Sequence, residues 1–164
     1  MRFTGPGVPL DPEPRFLRLP DLAPDAEADI AAAYADALCD EPCDREVVHV
    51  VFLDAEGSQL SPAGRLHNAP RLPREAELDQ FVDMLRHQGL RVRARQVALV
   101  WQTVDDDVPD RVAVGVWADG LIDRMAGGPL ALRAVWYRTP SGYVALVDGA
   151  VRITTPRAPR TSLG

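Results

Sequence analysis

Lysine is absent from this chain: all 18 basic residues are arginine, and asparagine occurs once, at Asn68. Lysine, asparagine and isoleucine draw on AT-rich codons, so their scarcity beside abundant Ala, Arg, Pro, Asp and Val reads as the product of a GC-rich bacterial genome, not as selection for arginine chemistry. Positive charge is short overall, with a formal net charge of −6. That balance disfavours nucleic acid as a partner, because binders of the phosphate backbone gather excess positive charge. Long apolar runs are missing too. No stretch nears the roughly 18 consecutive apolar residues of a membrane span, and Met1–Leu10 lacks a basic-then-apolar leader pattern, so a cytoplasmic protein is expected. There are only two cysteines, Cys39 and Cys43. Two thiols cannot close a four-ligand zinc site, and they read as reduced residues near a helix end. A glycine-rich phosphate loop, a nucleophile elbow, a paired His-Glu zinc motif, internal repeats and sustained heptads are all lacking.

What is present suits one domain: 164 residues, 46% of them hydrophobic, supply one core but not two. Six prolines within residues 1–24 forbid a regular helix or a central strand there. These residues read as an arm, with Phe16 and Leu19 among its apolar contacts for another surface. The globular domain is expected over residues 25–153, and residues 154–164 form a basic tail.

Within the domain, Ile30, Tyr34 and Leu38 share one stripe of a helix over Asp25–Cys39. Val47–Leu53 is a strand, and Asp54–Gly57 is a turn into a weaker strand near Ser58–Leu60. Pro73 opens an amphipathic helix burying Leu78, Phe81, Val82 and Leu85, with Gly89 as its stop. Val92–Thr103 reads as a central strand covered on both sides, with Arg91, Arg93 and Arg95 lined along its exposed beginning. Val112, Val114 and Val116 alternate as a strand would, followed by a short helix. Leu130–Arg138 and Tyr143–Val147 flank Thr139-Pro140-Ser141-Gly142 as a closing hairpin. The sum is an α/β or α+β fold: a single mixed-sheet sandwich with about three helices and irregular proline-rich ends.

Candidate chemistry is sparse. Asp105, Asp106 and Asp107, followed by Asp110, concentrate carboxylates suited to a hard divalent cation, without the glycine and distal glutamate of a calcium loop. Of three histidines, His87 complements a helix C-terminus and His49 sits inside an apolar strand. His67 differs by its neighbours. His67-Asn68-Ala69-Pro70, with Asp79 on the next helix, resembles the His-Asn-His-Pro motif and downstream aspartate of RadC-type JAB/MPN domains. A second placement aligns Arg45-Glu46, Phe52-Leu53-Asp54, Leu60, Gly64 and Pro73-Arg74-Glu75 with the segment before that family's metal strand. Val97–Trp101 then becomes the metal strand, and residues 44–149 are covered. Each placement lacks a histidine that the family's zinc site requires. The resemblance therefore implies a deaminase-like α/β sandwich that has lost hydrolase chemistry.

Trp136 and Tyr137, adjacent on a strand, point to opposite faces, so at least one is expected to be accessible to a partner, with Arg133 and Arg138 as polar neighbours. Three functional expectations follow. The first is a non-catalytic protein-interaction or assembly module without a cofactor, binding another protein or a second copy of itself. The second is a divergent metal-dependent hydrolase holding zinc or another divalent cation through His67, Asp79 and Asp105–Asp107. The third is an arginine-based binder of an anionic ligand.

Overall fold

Val47–Leu53 combines β-branched residues with apolar side chains at every position but His49, and such a run suits a strand buried on both faces. In the computed structural model these residues form β2, and all seven are buried. The structure describes residues 2–4, 39, 43–106, 108–148 and 151–152, with backbone alone at 2–4, 108–111, 143–148 and 151–152. Along the chain come β1 (Arg2–Thr4), β2, β3 (Gly64–His67), α1 (Glu75–Arg91), β4 (Gln96–Gln102), α2 (Val108–Met125), β5 (Ala131–Thr139), β6 (Gly142–Asp148) and β7 (Val151–Arg152). The strands form one mixed sheet in the order β1-β3-β2-β4-β5-β6-β7. Only β4 and β5 are parallel neighbours. A parallel pair needs a long crossover, and α2 supplies it. The expected helix over Asp25–Cys39 lies outside the described residues apart from Cys39, as do residues 5–24 and the tail 154–164.

Register decides which side chains share a face. Val48, Val50 and Phe52 of β2 lie opposite Trp101, Leu99 and Val97 of β4. They pack with Leu66, Leu132, Val135 and Tyr137 beneath Leu78, Phe81, Val82 and Leu85 of α1 and Val114, Trp117, Ala118, Leu121 and Met125 of α2. Burying each of these larger side chains contributes about 1.5–3 kcal/mol. Phe81, Trp101 and Trp117 meet at centroid separations of 5.1–6.3 Å, joining both helices to the central strand. The opposite face carries His49, Val51, Ala98, Val100 and Trp136, also buried. Both described helices lie on the same face.

Four local expectations are corrected. Residues 58–60 contribute one isolated bridge, Leu53 to Gln59, whereas the strand that pairs with β2 on this side is β3, which ends at His67. Gly89 does not stop α1, which runs to Arg91. An added Cβ on Gly89 would stand 3.3 Å from Leu130 and 3.4 Å from Phe52, so the glycine allows close packing. The helix ends because Arg93 turns left-handed, at φ 59°. Ala94 N–H then donates to Gly89 O (2.8 Å) and Arg93 N–H to Leu90 O (3.2 Å), the paired bonds of a Schellman ending. Arg91, Arg93 and Arg95 consequently straddle a helix end and a turn and do not line a strand. Finally, Val112–Val116 is helical: burial at 113, 114, 117, 118, 121 and 125 follows the helical period, and Val112 and Val116 are left exposed.

The closing hairpin matches the expectation, with Thr139 opposite Gly142 across Pro140-Ser141. β4 is central and buried on both faces, also as expected. No helix among the described residues is long and apolar enough to cross a membrane.

Candidate functional site

One row of paired residues marks an end of the sheet. His67 lies opposite Val47, Val47 opposite Gln102, and Gln102 opposite Arg138. β3, β4 and β5 all finish here. α1 follows β3 and α2 follows β4 after short loops, so both helices begin at this end. In sheets with parallel strands, the carboxyl ends and the loops beyond them are the usual place for a site.

The loop after β4 is tied to the β5–β6 turn. Thr103 N–H donates to Arg138 O (2.9 Å), and the Thr103 hydroxyl donates to Asp105 O (2.9 Å). Asp106 Oδ1 accepts the Ser141 hydroxyl at 2.6 Å and the Ser141 N–H at 3.2 Å. Hydrogen bonds from the Ser141 side chain first, then Thr139, hold the Asp106 carboxyl below its ordinary range. The Asp106–Ser141 pair thus joins the two loops. Asp105 is exposed, and Asp107 lies outside the described residues.

His67 and Asp79 are not brought together. Leu66 belongs to the core under the helices, so its neighbour His67 is on the other face. Asp79 lies on α1, where it accepts from Arg124 Nε at 2.9 Å, and Arg124 also bonds Glu75. Among the described residues, no group of three or more His, Cys, Asp or Glu side chains is placed to hold a metal ion. After His67 the chain bends out of β3. Asn68 adopts φ 61°, and the Pro70 carbonyl accepts the Trp117 indole N–H at 3.0 Å. On the face of His67, His49 Nε2 and Gln102 Oε1 are 2.9 Å apart and buried.

Trp136 and Tyr137 do point to opposite faces, yet their exposures are 6% and 2%. The expected accessible ring is not there, because β5 is an inner strand packed on both sides. Arg133 is the extra residue of a β-bulge between Leu132 and Ala134, near the start of β5, and Arg138 is near its end. At about 3.3 Å per residue their backbone positions stand roughly 16 Å apart. Phe16 and Leu19 lie outside the described residues. Cys39 and Cys43 are both half-buried. Burial pushes the Cys43 thiol up, and the neighbouring charges of Asp44 and Glu46 add to that.

Sequence reasoning missed several exposed apolar side chains, among them Leu90 on the last turn of α1 and four that lie in or after the loops at this end. Leu72, before α1, is 64% exposed, and Val112, on the first turns of α2, is 62% exposed. Val104 in the β4–α2 loop and Val116, one turn beyond Val112, are exposed as well. The spacing of Val112 and Val116 was visible, but it read as strand alternation through Val114. Asp105 and Asp106 follow Val104 in the same loop, and Asp119 and Asp123 continue the helix face of Val112 and Val116. Comparison of the chain with models of known families, with curated proteins and with solved structures finds no match in any of the three.

Proposed function

We propose that this domain is a non-catalytic protein-interaction module whose docking surface is the end of the sheet where α1 and α2 begin. The observation that carries the reading is the exposure of Leu72, Val104, Val112 and Val116 there, with carboxylates in the same loop and on the same helix face. Exposed apolar side chains mark a binding surface where they form a contiguous patch, which is what the proposal requires of these four. The partner's chemistry follows: an apolar ridge to cover the valines and leucine, with arginine or lysine to meet Asp105 and Asp123. A degenerate JAB-like domain belongs to the same proposal, since a fold that has lost its metal ligands retains its surface. The test compares immobilised wild-type protein with the Val112→Asp/Val116→Asp variant. Both should show the same circular dichroism, and a binder recovered from extract by the first should be lost by the second. A binder held equally by both variants sinks the reading, and so does bound zinc, manganese or calcium in near-stoichiometric amount.

A further inference from the structure

Side chains of β3 alternate between the two faces of the sheet. Leu66 belongs to the core beneath the helices, so Arg65 and His67 lie together on the other face, about 7 Å apart along the strand. Arg65 is exposed and His67 is half-buried. On β2, His49 is directly opposite Arg65, and Val47 is directly opposite His67. On the outer side, Thr4 is the register partner of Arg65 and Arg2 that of His67. Followed across the sheet to β6, these two rows of register partners contain no carboxylate, although the chain carries a net charge of −6. Asp44 and Glu46 come just before β2, and Asp44 lies 3.8 Å from Arg45. The charge of Arg138, farther along the row of His67, acts on Asp106. Arg65 and His67 have no hydrogen-bond or ion-pair partner among the described residues.

We infer that Arg65 and His67 form a binding site for the phosphate group of a small ligand. A guanidinium offers two parallel N–H donors to one phosphate, and an imidazole N–H two residues along the same strand face adds another. The burial of Leu66 between them fixes both on a paired strand, so the two donors are positioned before the ligand arrives. Behind Arg65 the lining stays polar, because His49 Nε2 and Gln102 Oε1 stand 2.9 Å apart. Two cationic positions in an acidic chain suit one phosphate group, whereas a nucleic-acid backbone needs a broad basic surface. The site is on the face away from α1 and α2 and does not depend on the proposed docking surface.

Inorganic phosphate, a sugar phosphate and a nucleoside diphosphate can each be titrated into the full chain at an ionic strength held constant with chloride. The Arg65 Nε–Hε and His67 ring resonances should shift saturably with one common dissociation constant, while Arg91, at the far end of α1, stays unmoved. Arg65→Gln and His67→Gln should each weaken binding by about tenfold or more, the scale of a lost charge-assisted hydrogen bond. An unchanged urea midpoint shows that the variants fold, and if one does not, the shifts in the wild-type protein decide. Equal affinity for all three ligands assigns the site to the phosphate group alone, and tighter binding of one ester assigns it to that ligand class. Shifts that do not saturate for any of the three, or that are as large at Arg91 as at Arg65, would overturn the site. Wild-type affinity in both variants would overturn it too.

Discussion

Gly120 of α2 lies against Leu78 of α1 so closely that a Cβ at position 120 would stand 2.7 Å from Leu78 Cδ1 and 2.9 Å from Cδ2. Glycine is a poor helix residue, by about 1 kcal/mol relative to alanine, and this contact explains its place in the middle of α2. The Leu78 side chain is buried in the core, so moving it means repacking its neighbours.

Gly120→Ala should therefore destabilise the domain by about 1–2 kcal/mol, because overpacking exceeds the propensity gain. Leu78→Ala alone should lose about 2–5 kcal/mol. In that background the sign should reverse, with Gly120→Ala stabilising by about 1 kcal/mol. Urea unfolding of the four proteins measures the cycle, and additive effects would remove the contact as the cause. Gly89→Ala, where the nearest atoms are 3.3–3.4 Å away, should stay within about 1 kcal/mol of wild type.

Arg93→Gly should stabilise the domain by about 0.5–1 kcal/mol. The left-handed conformation at φ 59° is unfavourable for a residue with a Cβ by about 1–2 kcal/mol, and part of the relief is offset by the greater freedom of glycine in the unfolded chain. The urea midpoint should rise at constant slope. An unchanged midpoint would mean that the arginine side chain contributes something the ending of α1 does not show.

Asp106 sets an acid-dependent contribution. Its folded pKa is depressed, so the stabilisation is present above the ordinary aspartate pKa of about 3.9 and is lost as pH falls through the folded value. Asp106→Asn should lower stability at pH 7 by about 0.5 kcal/mol, the solvent-screened scale of an exposed hydrogen bond, and the gap should close in strong acid. A gap that persists unchanged at low pH would count against the carboxylate as its origin.

Cys43 should alkylate slowly at neutral pH. Its thiol is pushed above the ordinary range by burial, and the thiolate is the reactive form. In a Cys39→Ser protein, the rate of iodoacetamide modification should be several-fold below that of a free peptide thiol at pH 7, with an inflection displaced to higher pH. Modification as fast as in the peptide would show that the thiol is neither buried nor perturbed.

These predictions fall mostly where sequence reasoning and structure part. The stripe of Leu78, Phe81, Val82 and Leu85 was legible because a helix repeats burial every three to four residues, and β2 was legible because its β-branched run is bounded by polar residues. The end of α1 was not legible. Gly89 followed by Leu90, Arg91 and Val92 offers a glycine where a stop is expected, but the left-handed position fell to Arg93. Likewise three alternate valines satisfy a strand pattern locally, and only the docking of Val114, Trp117 and Leu121 onto the sheet selects a helix. Of the candidate site, the acidic loop after β4 was placed correctly, while His67 and Asp79, close in sequence, were separated onto opposite faces.

The sequence by itself determined the charge, the apolar helix face, the central strand and the closing hairpin, since each depends on side-chain period or turn chemistry within a few residues. The tertiary structure alone decided that β3 and not residues 58–60 pairs with β2, that Trp136 and Tyr137 are buried, that Arg124 holds Asp79, and that Arg2–Thr4 joins the sheet beside His67. Those outcomes depend on which distant segments compete for the same edge or face, and nothing in a local stretch of sequence records that competition.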